Sequence, residues 1–197
     1  MKLIFATNNQ HKIEEMRLAI GQAFELITLK EAGIYIDIPE PFETLEENAI
    51  AKSKFIHHLT GQNCFSEDTG LEVEALNGEP GVRSARYASE ARSFDENIKK
   101  LLGKLEGAEN RKARFRAVIS LILDSEEKLF EGICDGRIVH EKRGAGGFGY
   151  DPVFIPDGSN HSFAEMSLEE KNHFNHRRKA ADKLVVFLTT YQHIKTN

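Results

Sequence analysis

Residues 2–12 read KLIFATNNQHK, an apolar run that gives way abruptly to polar residues. The run at residues 2–6 has the length and composition of a short buried strand. Apolar residues then recur at helical spacing, at Ile13, Met16, Ala19 and Ile20. A strand that passes through a polar loop into a helix is typical of proteins that alternate the two elements.

Further helical patterns follow. Residues 47–59 are compatible with a helix, and Ser93 with Glu96 forms a capping box before another, whose apolar stripe is Ile98, Leu101, Leu102 and Leu105. A second capping box, Ser167 with Glu170, begins a helical C-terminal third, in which the stripe comprises Ala180, Leu184, Phe187, Leu188 and Tyr191. A break between two helical segments is predicted around residues 171–177.

Strand patterns lie between these helices. Residues 63–66 and the alternating Leu71, Val73 and Ala75 predict two short strands joined by an acidic turn. Residues 113–123 and 129–139 favour strands, with Asp135-Gly136 as a hairpin turn, and residues 152–155 resemble a further short strand. The order of the elements predicts a mixed α/β architecture.

The composition is that of an ordinary globular protein. The 197 residues are 40% apolar and include 31 acidic against 26 basic side chains, so we expect one domain over residues 1–197 and no nucleic-acid partner. Cys64 and Cys134 form no CxxC pair, which argues against a disulfide framework or a thiolate zinc site. The apolar runs are too short for a signal peptide or a spanning helix. We therefore expect a cytoplasmic protein.

The first candidate site is the loop between the first strand and the first helix, Thr7, Asn8, Asn9, Gln10, His11 and Lys12. Free backbone amides and the positive end of the helix dipole favour an anion such as phosphate there, and Lys12 adds a full charge. The alternative is that Thr7 or Asn8 simply caps the helix and that Lys12 is solvated.

The second candidate is the acidic turn with Glu67 and Asp68, together with Glu40 and Glu47 upstream. Carboxylate oxygens suit Mg²⁺, which binds through one or two carboxylates plus substrate phosphates. The alternative is a solvated turn of the kind found in many hairpins. Lys52 is by default a solvated lysine, and it gains a role only beside a phosphate.

The third candidate is the glycine-rich loop at residues 144–151, GAGGFGYD, which matches GxGxxG. The loop runs into Pro152 and a predicted strand instead of a helix, so we reject a dinucleotide-binding fold. Its backbone still permits the approach of a planar ligand, with Phe148 or Tyr150 for stacking and Asp151 for hydrogen bonds. The alternative is a mobile loop whose aromatic side chains fill the core.

The fourth candidate is the stretch that contains Lys171, His173, Asn175, His176 and Arg177. The spacing of its two histidines lacks a third soft ligand, which argues against zinc. One interpretation is an exposed basic stretch. The other is that Lys171, His176 and Arg177 donate hydrogen bonds to an anionic or carbonyl-bearing ligand.

Taken in order, these segments resemble the motifs of the inosine/xanthosine triphosphate pyrophosphatase family. The motifs are Thr7-Asn8-Asn9-x-x-Lys12, EDTGL at residues 67–71, PGVRSARY at residues 80–87, GGFGYDP at residues 146–152, and Glu170-Lys171 with His176-Arg177. The resemblance covers nearly the whole chain. It implies an elongated, two-lobed fold, with a mixed central sheet, flanking helices and the active site in the cleft between the lobes. It also implies a cytosolic homodimer that uses Mg²⁺ to hydrolyse ITP, dITP or XTP to the monophosphate and pyrophosphate.

The resemblance assigns roles to individual residues. The loop from Thr7 to Lys12 binds the phosphates with the help of Lys52, while Glu40 and Asp68 bind the metal and Asp68 is also the proton acceptor. The remaining substrate-binding positions are Thr69, Phe148, Gly149, Tyr150, Asp151, Lys171, His176 and Arg177. The family often has Asp-Asp-Ser where this chain has Glu67-Asp68-Thr69, and Ser-His-Arg at residues 175–177, where this chain has Asn-His-Arg. The first departure leaves open whether Glu67 or Asp68 is the main metal contact.

We expect water to attack a phosphorus of the triphosphate, with Asp68 as base and with Lys12 and Lys52 offsetting charge on the departing pyrophosphate. His176 and Arg177 are expected to donate to the C6 oxygen of hypoxanthine or xanthine, which adenine lacks. Two other functions stay open at this point. One is a related pyrophosphatase for modified or pyrimidine triphosphates, and the other is a non-enzymatic nucleotide-binding protein.

Overall fold

The computed structural model describes residues 1–196, which form a mixed sheet flanked by helices. The strands are β1 (Lys2–Phe5), β2 (Glu25–Thr28), β3 (Cys64–Val73), β4 (Pro80–Gly81), β5 (Lys112–Leu123), β6 (Glu126–Ile138) and β7 (Phe154–Pro156). The α-helices are α1 (Gln10–Ile20), α2 (Leu45–Thr60), α3 (Phe94–Lys104), α4 (Leu168–Phe174) and α5 (His176–Thr196). None of these helices is long and apolar enough to cross a membrane.

The sheet has the strand order β2-β1-β3-β5-β6-β7, with β4 paired to β3. Strand β1 runs parallel to both β2 and β3, whereas β4 is antiparallel to β3 and β7 is antiparallel to β6. The predicted mixed α/β architecture is therefore confirmed. A single domain with two lobes and a cleft between them stays a prediction.

The first of two compact units comprises residues 1–68, residues 117–132 and the chain from Arg177 onward. Successive residues of β1 point to opposite faces of the sheet. Leu3 and Phe5 pack with α1 and α5 on one face, whereas Ile4 packs with Ile56 of α2 on the other. In this unit the sheet is covered on both faces.

The second unit comprises residues 69–116 and residues 133–176. Its core joins the apolar stripe of α3 to one face of the strands, where Leu71, Phe115 and Phe154 are buried. The capping serine of α3, Ser93, accepts a hydrogen bond from the amide of Glu96, which is one of the two bonds of the predicted capping box.

The predicted acidic turn at Glu67 and Asp68 is wrong. Residues 64–73 form one continuous strand, β3, and both carboxylates lie in its middle, buried. Two charges are tolerated inside a buried strand because cationic side chains meet them there, as the site shows below. Gly70 marks a close approach of backbone instead of a turn, since a Cβ there would lie 2.5 Å from the carbonyl oxygen of Gly81.

The predicted hairpin turn at Asp135-Gly136 is also wrong. Both residues lie inside β6, and the turn between β5 and β6 is formed by Asp124 and Ser125, which have φ angles of 50° and 67°. A Cβ on Gly136 would lie 2.3 Å from the carbonyl oxygen of Ile155 in β7. The glycine therefore permits the approach of a neighbouring strand.

Candidate active site

Two lysines of the first unit converge on strand β3. The ammonium of Lys12, on α1, lies 3.4 Å from the carbonyl oxygen of Glu67, and that of Lys52, on α2, lies 3.0 Å from the same oxygen. Lys52 is buried, and only 15% of the Lys12 side chain is exposed. The interpretation of these residues as solvated lysines is therefore wrong. Two positive charges are held beside Glu67 and Asp68.

Lys52 also joins two carboxylates. Its ammonium donates to Oε1 of Glu40 at 2.6 Å and to Oδ1 of Asp68 at 3.0 Å. Burial acts to lower the pKa of Lys52, but the negative charges of Asp68 and Glu40 outweigh it and the pKa is raised. Burial raises the pKa of Asp68 even though the charges of Lys52 and Lys12 oppose the shift. A carboxylate with a raised pKa is a stronger proton acceptor than one in water.

The carboxylates of Glu40 and Asp68 fit the chemistry of a hard divalent cation. Both contact the same ammonium, so they face one small volume. Within residues 1–196, no group of three or more His, Cys, Asp or Glu side chains is arranged to hold a metal ion. Two carboxylates are nevertheless enough for Mg²⁺ when phosphate oxygens and water complete its coordination.

Glu47, the other upstream carboxylate, has a different place. Its side chain accepts a hydrogen bond from the hydroxyl of Thr44 at 2.8 Å, and its amide donates to that hydroxyl at 3.2 Å. Thr44 is the N-cap of α2. Glu47 therefore helps to cap α2. Within residues 1–196, it contacts neither Lys52 nor Asp68.

Glu67 is held by an arginine. Nε of Arg177 donates to its Oε2 at 3.0 Å and Nη2 donates to its Oε1 at 3.2 Å, while Nη1 of Arg177 bonds to Glu15 of α1. All three side chains are buried. Burial acts to lower the pKa of Arg177, but the carboxylates of Glu67 and Glu15 outweigh it and raise the pKa. The guanidinium thus joins α1 and β3 inside the first unit.

Sequence analysis missed Glu15. One signal was present, because Glu15 precedes Ala19 by four residues and so lies on the buried side of α1, where a carboxylate requires a partner. Arg177, more than 160 positions further along the chain, is that partner. Such a distant pairing leaves no trace in local periodicity.

The loop between β1 and α1 uses its polar side chains to build the helix start. Oδ1 of Asn9 accepts from the amide of Lys12 at 3.1 Å, and Oγ1 of Thr7 accepts from the amide of Asn9 at 3.2 Å. Asn9 is therefore the N-cap of α1. The alternative interpretation of the sequence gave this role to Thr7 or Asn8. Asn8 donates to the carbonyl oxygen of Ile36 at 2.7 Å.

The next two residues of the loop motif, Gln10 and His11, begin α1 and are exposed. Gln10 donates to Oε1 of Glu14 one turn later, at 3.2 Å. The positive charge that this loop brings to β3 is the ammonium of Lys12.

In the second unit, the glycine-rich loop is closed by Asp151. Its Oδ2 accepts from the amide of Phe148 at 2.9 Å and from the ammonium of Lys171 at 2.5 Å. Gly147 has a φ of 71°, and a Cβ there would lie 2.2 Å from the Asp151 carboxylate, so only glycine fits this turn. The Lys171 ammonium lies 4.9 Å from the centre of the Phe148 ring. Three predicted site residues are thus brought together.

The two aromatic residues of this loop differ. Tyr150 is buried, and its hydroxyl donates to the carbonyl oxygen of Ser84 at 2.9 Å. Burial raises the pKa of Tyr150. Tyr150 therefore fills the core, as the alternative interpretation of the loop states, whereas Phe148 is partly exposed.

Two further predicted site residues are Gly149 and Thr69. Gly149, between the two aromatic residues, has a φ of 61°. Thr69 continues β3 directly after Asp68.

The interpretation of residues 171–177 as an exposed basic stretch is wrong, although His173 within it is exposed. Lys171, Asn175, His176 and Arg177 are all buried. The His176 ring stacks on Phe115 with ring centres 4.9 Å apart and an angle of 10° between the planes. The predicted break between two helices is confirmed, since α4 ends at Phe174 and α5 begins at His176.

The chain is similar to known proteins over most of its length. The model of the Ham1 family matches residues 3–187. A protein of Porphyromonas gingivalis named dITP/XTP pyrophosphatase is 52% identical over 95% of this chain and 97% of its own length. A protein of the same name from Flavobacterium johnsoniae is 46% identical over 96% of this chain and 98% of its own length.

The chain is also similar to solved structures of Ham1 proteins. The Ham1 protein of Staphylococcus aureus has a TM-score of 0.88 at 41% identity, and the match covers 97% of this chain and all of that protein. A Ham1 protein from Coxiella burnetii has a TM-score of 0.87 at 35% identity, with 96% of this chain covered and 99% of the other.

Proposed function

The chain belongs to the Ham1 family, and from this premise we propose that it hydrolyses deaminated purine nucleoside triphosphates, such as ITP, dITP and XTP, to the monophosphate and pyrophosphate. The observation that carries the proposal is the convergence of Lys12 and Lys52 on the segment of β3 that bears Asp68. Hydrolysis of a phosphoanhydride is promoted by positive charges that stabilise the leaving group and by a carboxylate that accepts a proton. Lys12 and Lys52 provide the charges, and Asp68, whose pKa is raised, provides the carboxylate.

Glu40 and Asp68 are the residues that we propose hold Mg²⁺. Each is within hydrogen-bond distance of Lys52, whereas both carboxylate oxygens of Glu67 accept from Arg177. This difference supports Asp68 over Glu67 as the proposed main metal contact. When bound, Mg²⁺ neutralises phosphate charge and polarises the phosphorus–oxygen bonds.

Asp68 is the proposed proton acceptor. Its carboxylate takes a proton from the attacking water as the new phosphorus–oxygen bond forms, and the anhydride bond between the first and second phosphates breaks. The electron pair of that bond leaves with pyrophosphate. Lys12 and Lys52 offset the negative charge that grows on this leaving group. No covalent intermediate on the protein is needed.

Phe148 and Lys171 are the proposed nucleoside-binding residues. Phe148 offers a partly exposed ring, and Lys171, fixed by Asp151, offers a positively charged donor beside that ring. Hypoxanthine and xanthine carry an acceptor at C6, where adenine carries an amino group. A donor aimed at this position forms a hydrogen bond with hypoxanthine or xanthine. With adenine it meets a second donor, which is unfavourable.

The experiment is an assay of purified protein with ITP and with ATP, each with and without Mg²⁺, with identification of the products. We expect inosine monophosphate and pyrophosphate from ITP only when Mg²⁺ is present, and little product from ATP. A panel of modified and pyrimidine triphosphates distinguishes the related pyrophosphatase activity. Nucleotide binding without any product would instead support a binding protein.

We also propose that the enzyme is a cytoplasmic homodimer, as the family resemblance implies. Sedimentation equilibrium tests the dimer, because a monomeric mass over the working concentration range would contradict it. Fractionation of cells that produce the tagged protein tests the location.

A further inference from the structure

Glu40 lies in a connection without regular structure. Residues 34–41, between β2 and α2, form neither helix nor strand. No ladder of backbone hydrogen bonds therefore fixes the position of the Glu40 carboxylate. Other contacts must hold this segment if Glu40 is to meet Lys52 at 2.6 Å in a reproducible way.

A buried asparagine of α2 supplies such contacts. Oδ1 of Asn48 accepts from the amide of Phe42 at 3.0 Å, and Nδ2 of Asn48 donates to the carbonyl oxygen of Phe42 at 3.0 Å. Both backbone groups of Phe42 are thereby bound by one side chain that has no exposed surface. The amide orientation is determined, because an N–H needs an acceptor and a carbonyl needs a donor. Glu40 is two residues away.

The same face of α2 carries the next contact. Lys52 follows Asn48 by four residues, so the two side chains lie one above the other on the helix. Asn48 holds the chain just after Glu40, and Lys52 binds the Glu40 carboxylate itself. The helix is in turn fixed to β3, because the hydroxyl of Ser66 donates to the carbonyl oxygen of Ala49 at 2.5 Å.

We propose that Asn48 is a positioning residue that places the Glu40 carboxylate against Lys52 and Asp68. This inference rests on the proposed function, since it assigns Asn48 a role in the same site. Its contacts form a continuous series, from Phe42 through Asn48 and Ala49 to Ser66, two residues before Asp68. The distance between the two proposed metal ligands is thus set from helix α2.

We expect the fold to tolerate the loss of this contact. Phe42 is 45% exposed, so its amide and carbonyl can turn to water when Asn48 is removed. A replacement of Asn48 therefore frees the Glu40 segment more than it disturbs the core. Groups that orient the ligands of a metal typically change metal affinity or activity by about 10-fold to 100-fold when they are lost.

The test compares Asn48→Ala with a matched control, Ser53→Ala. Ser53 is equally buried on α2, and its hydroxyl bonds to the hydroxyl of Ser120 at 2.8 Å and to the carbonyl oxygen of Ile50, both outside the Glu40 segment. The first measurement is hydrogen exchange of peptides that cover residues 34–44, made on metal-free protein. The second is pyrophosphate release from ITP as a function of Mg²⁺ concentration.

We expect faster exchange over residues 34–44 in Asn48→Ala and a half-saturating Mg²⁺ concentration raised by about 10-fold or more. Ser53→Ala should match the wild type in both measurements. If Asn48→Ala does not fold, Asn48→Ser decides, because serine is neutral and polar but too short to bond to both backbone groups of Phe42. It should also raise the exchange rate and the Mg²⁺ requirement.

The inference is overturned if the folded Asn48 variant behaves as Ser53→Ala does in exchange and in Mg²⁺ dependence. Faster exchange with an unchanged Mg²⁺ requirement also overturns it, since Asn48 would then hold the segment without serving the site. A wild-type protein that releases no pyrophosphate from ITP refutes the proposed function instead, and that result is separate from the exchange data.

Discussion

The guanidinium of Arg177 and the carboxylate of Glu67 form a two-bond ion pair from which solvent is excluded. Arg177 also bonds to Glu15, so one positive charge serves two buried carboxylates. Lys12 shares the charge of Glu67, because its ammonium lies 3.5 Å from Oε2. The pair is therefore part of the structure of the first unit as well as a neighbour of the proposed base, Asp68.

Arg177→Ala is expected to lower the free energy of unfolding by about 3 to 5 kcal/mol, because it leaves two buried carboxylates without their main partner. Urea unfolding measures the loss. The control is Arg178→Ala, since the adjacent arginine pairs with Asp182 at the surface and should contribute less than about 1 kcal/mol. Equal stability of the two variants would contradict a structural role for Arg177.

Asp68→Asn is expected to lower turnover by at least about 10²-fold while the fold persists, because an amide cannot accept the proton of water and is a poor ligand for Mg²⁺. Steady-state release of pyrophosphate from ITP measures the effect. Glu72→Gln, four residues along the same strand, removes a carboxylate that pairs with Arg114 and serves as the control. Near-native turnover by Asp68→Asn would refute the assignment, and unfolding would point to a purely structural carboxylate.

Lys12→Ala and Lys52→Ala are both expected to reduce pyrophosphate release far more than Lys54→Ala, whose ammonium pairs with Glu127 at the surface. The two should differ in stability. Lys52→Ala leaves the buried Asp68 and the carboxylate of Glu40 without their shared partner, so it should unfold at lower urea, whereas Lys12 is partly exposed. Activity and urea midpoints are measured together. Unchanged activity in both variants would show that these lysines have only a structural role.

The sequence singled out the candidate site residues but not their surroundings. Motif resemblance singled out Lys52 and Asp68, whereas local pattern placed Asp68 in a turn, because consecutive acids interrupt a strand pattern. Only partners distant in sequence, Lys52 and Arg177, make a buried strand through residues 67–68 possible. Asp135-Gly136 shows the same limit, since a glycine needed for contact with a neighbouring strand has the sequence signature of a hairpin turn.

Cys64 provides a pH-dependent test of burial. Burial raises the pKa of its thiol to about 12, against 9.0 for the unperturbed group, so the folded protein retains the proton to higher pH than the unfolded chain. The contribution of this thiol to the free energy of unfolding is complete below the pKa that it has in the unfolded chain. The contribution is lost as the pH rises towards the pKa that the thiol has in the folded protein. We expect unfolding free energy to fall more between about pH 8 and about pH 10 in the wild type than in Cys64→Ala. Equal slopes in urea titrations, or rapid reaction of native Cys64 with a thiol reagent, would contradict this.

Base selection is expected to depend on Lys171 more than on Arg177. Sequence analysis assigned His176 and Arg177 to the C6 oxygen. The Arg177 guanidinium bonds to two carboxylates, those of Glu67 and Glu15. The Lys171 ammonium bonds to one, that of Asp151, and lies beside the ring of Phe148. A donor that meets an acceptor in hypoxanthine and an amino group in adenine discriminates in favour of ITP, and polar sites of this kind reach about 10⁴-fold.

Lys171→Met removes the charged donor and keeps much of the side-chain volume, so it should reduce the ratio of kcat/KM for ITP to that for ATP by about 10-fold or more. Arg177→Ala, where it folds, should lower both activities by a similar factor, because it disturbs Glu67 beside the proposed base and leaves the Phe148 loop intact. The kcat/KM values of each variant with both nucleotides measure these ratios. If Arg177→Ala reduced the ratio and Lys171→Met did not, the C6 oxygen would be recognised by Arg177, and the Phe148 loop would only enclose the base.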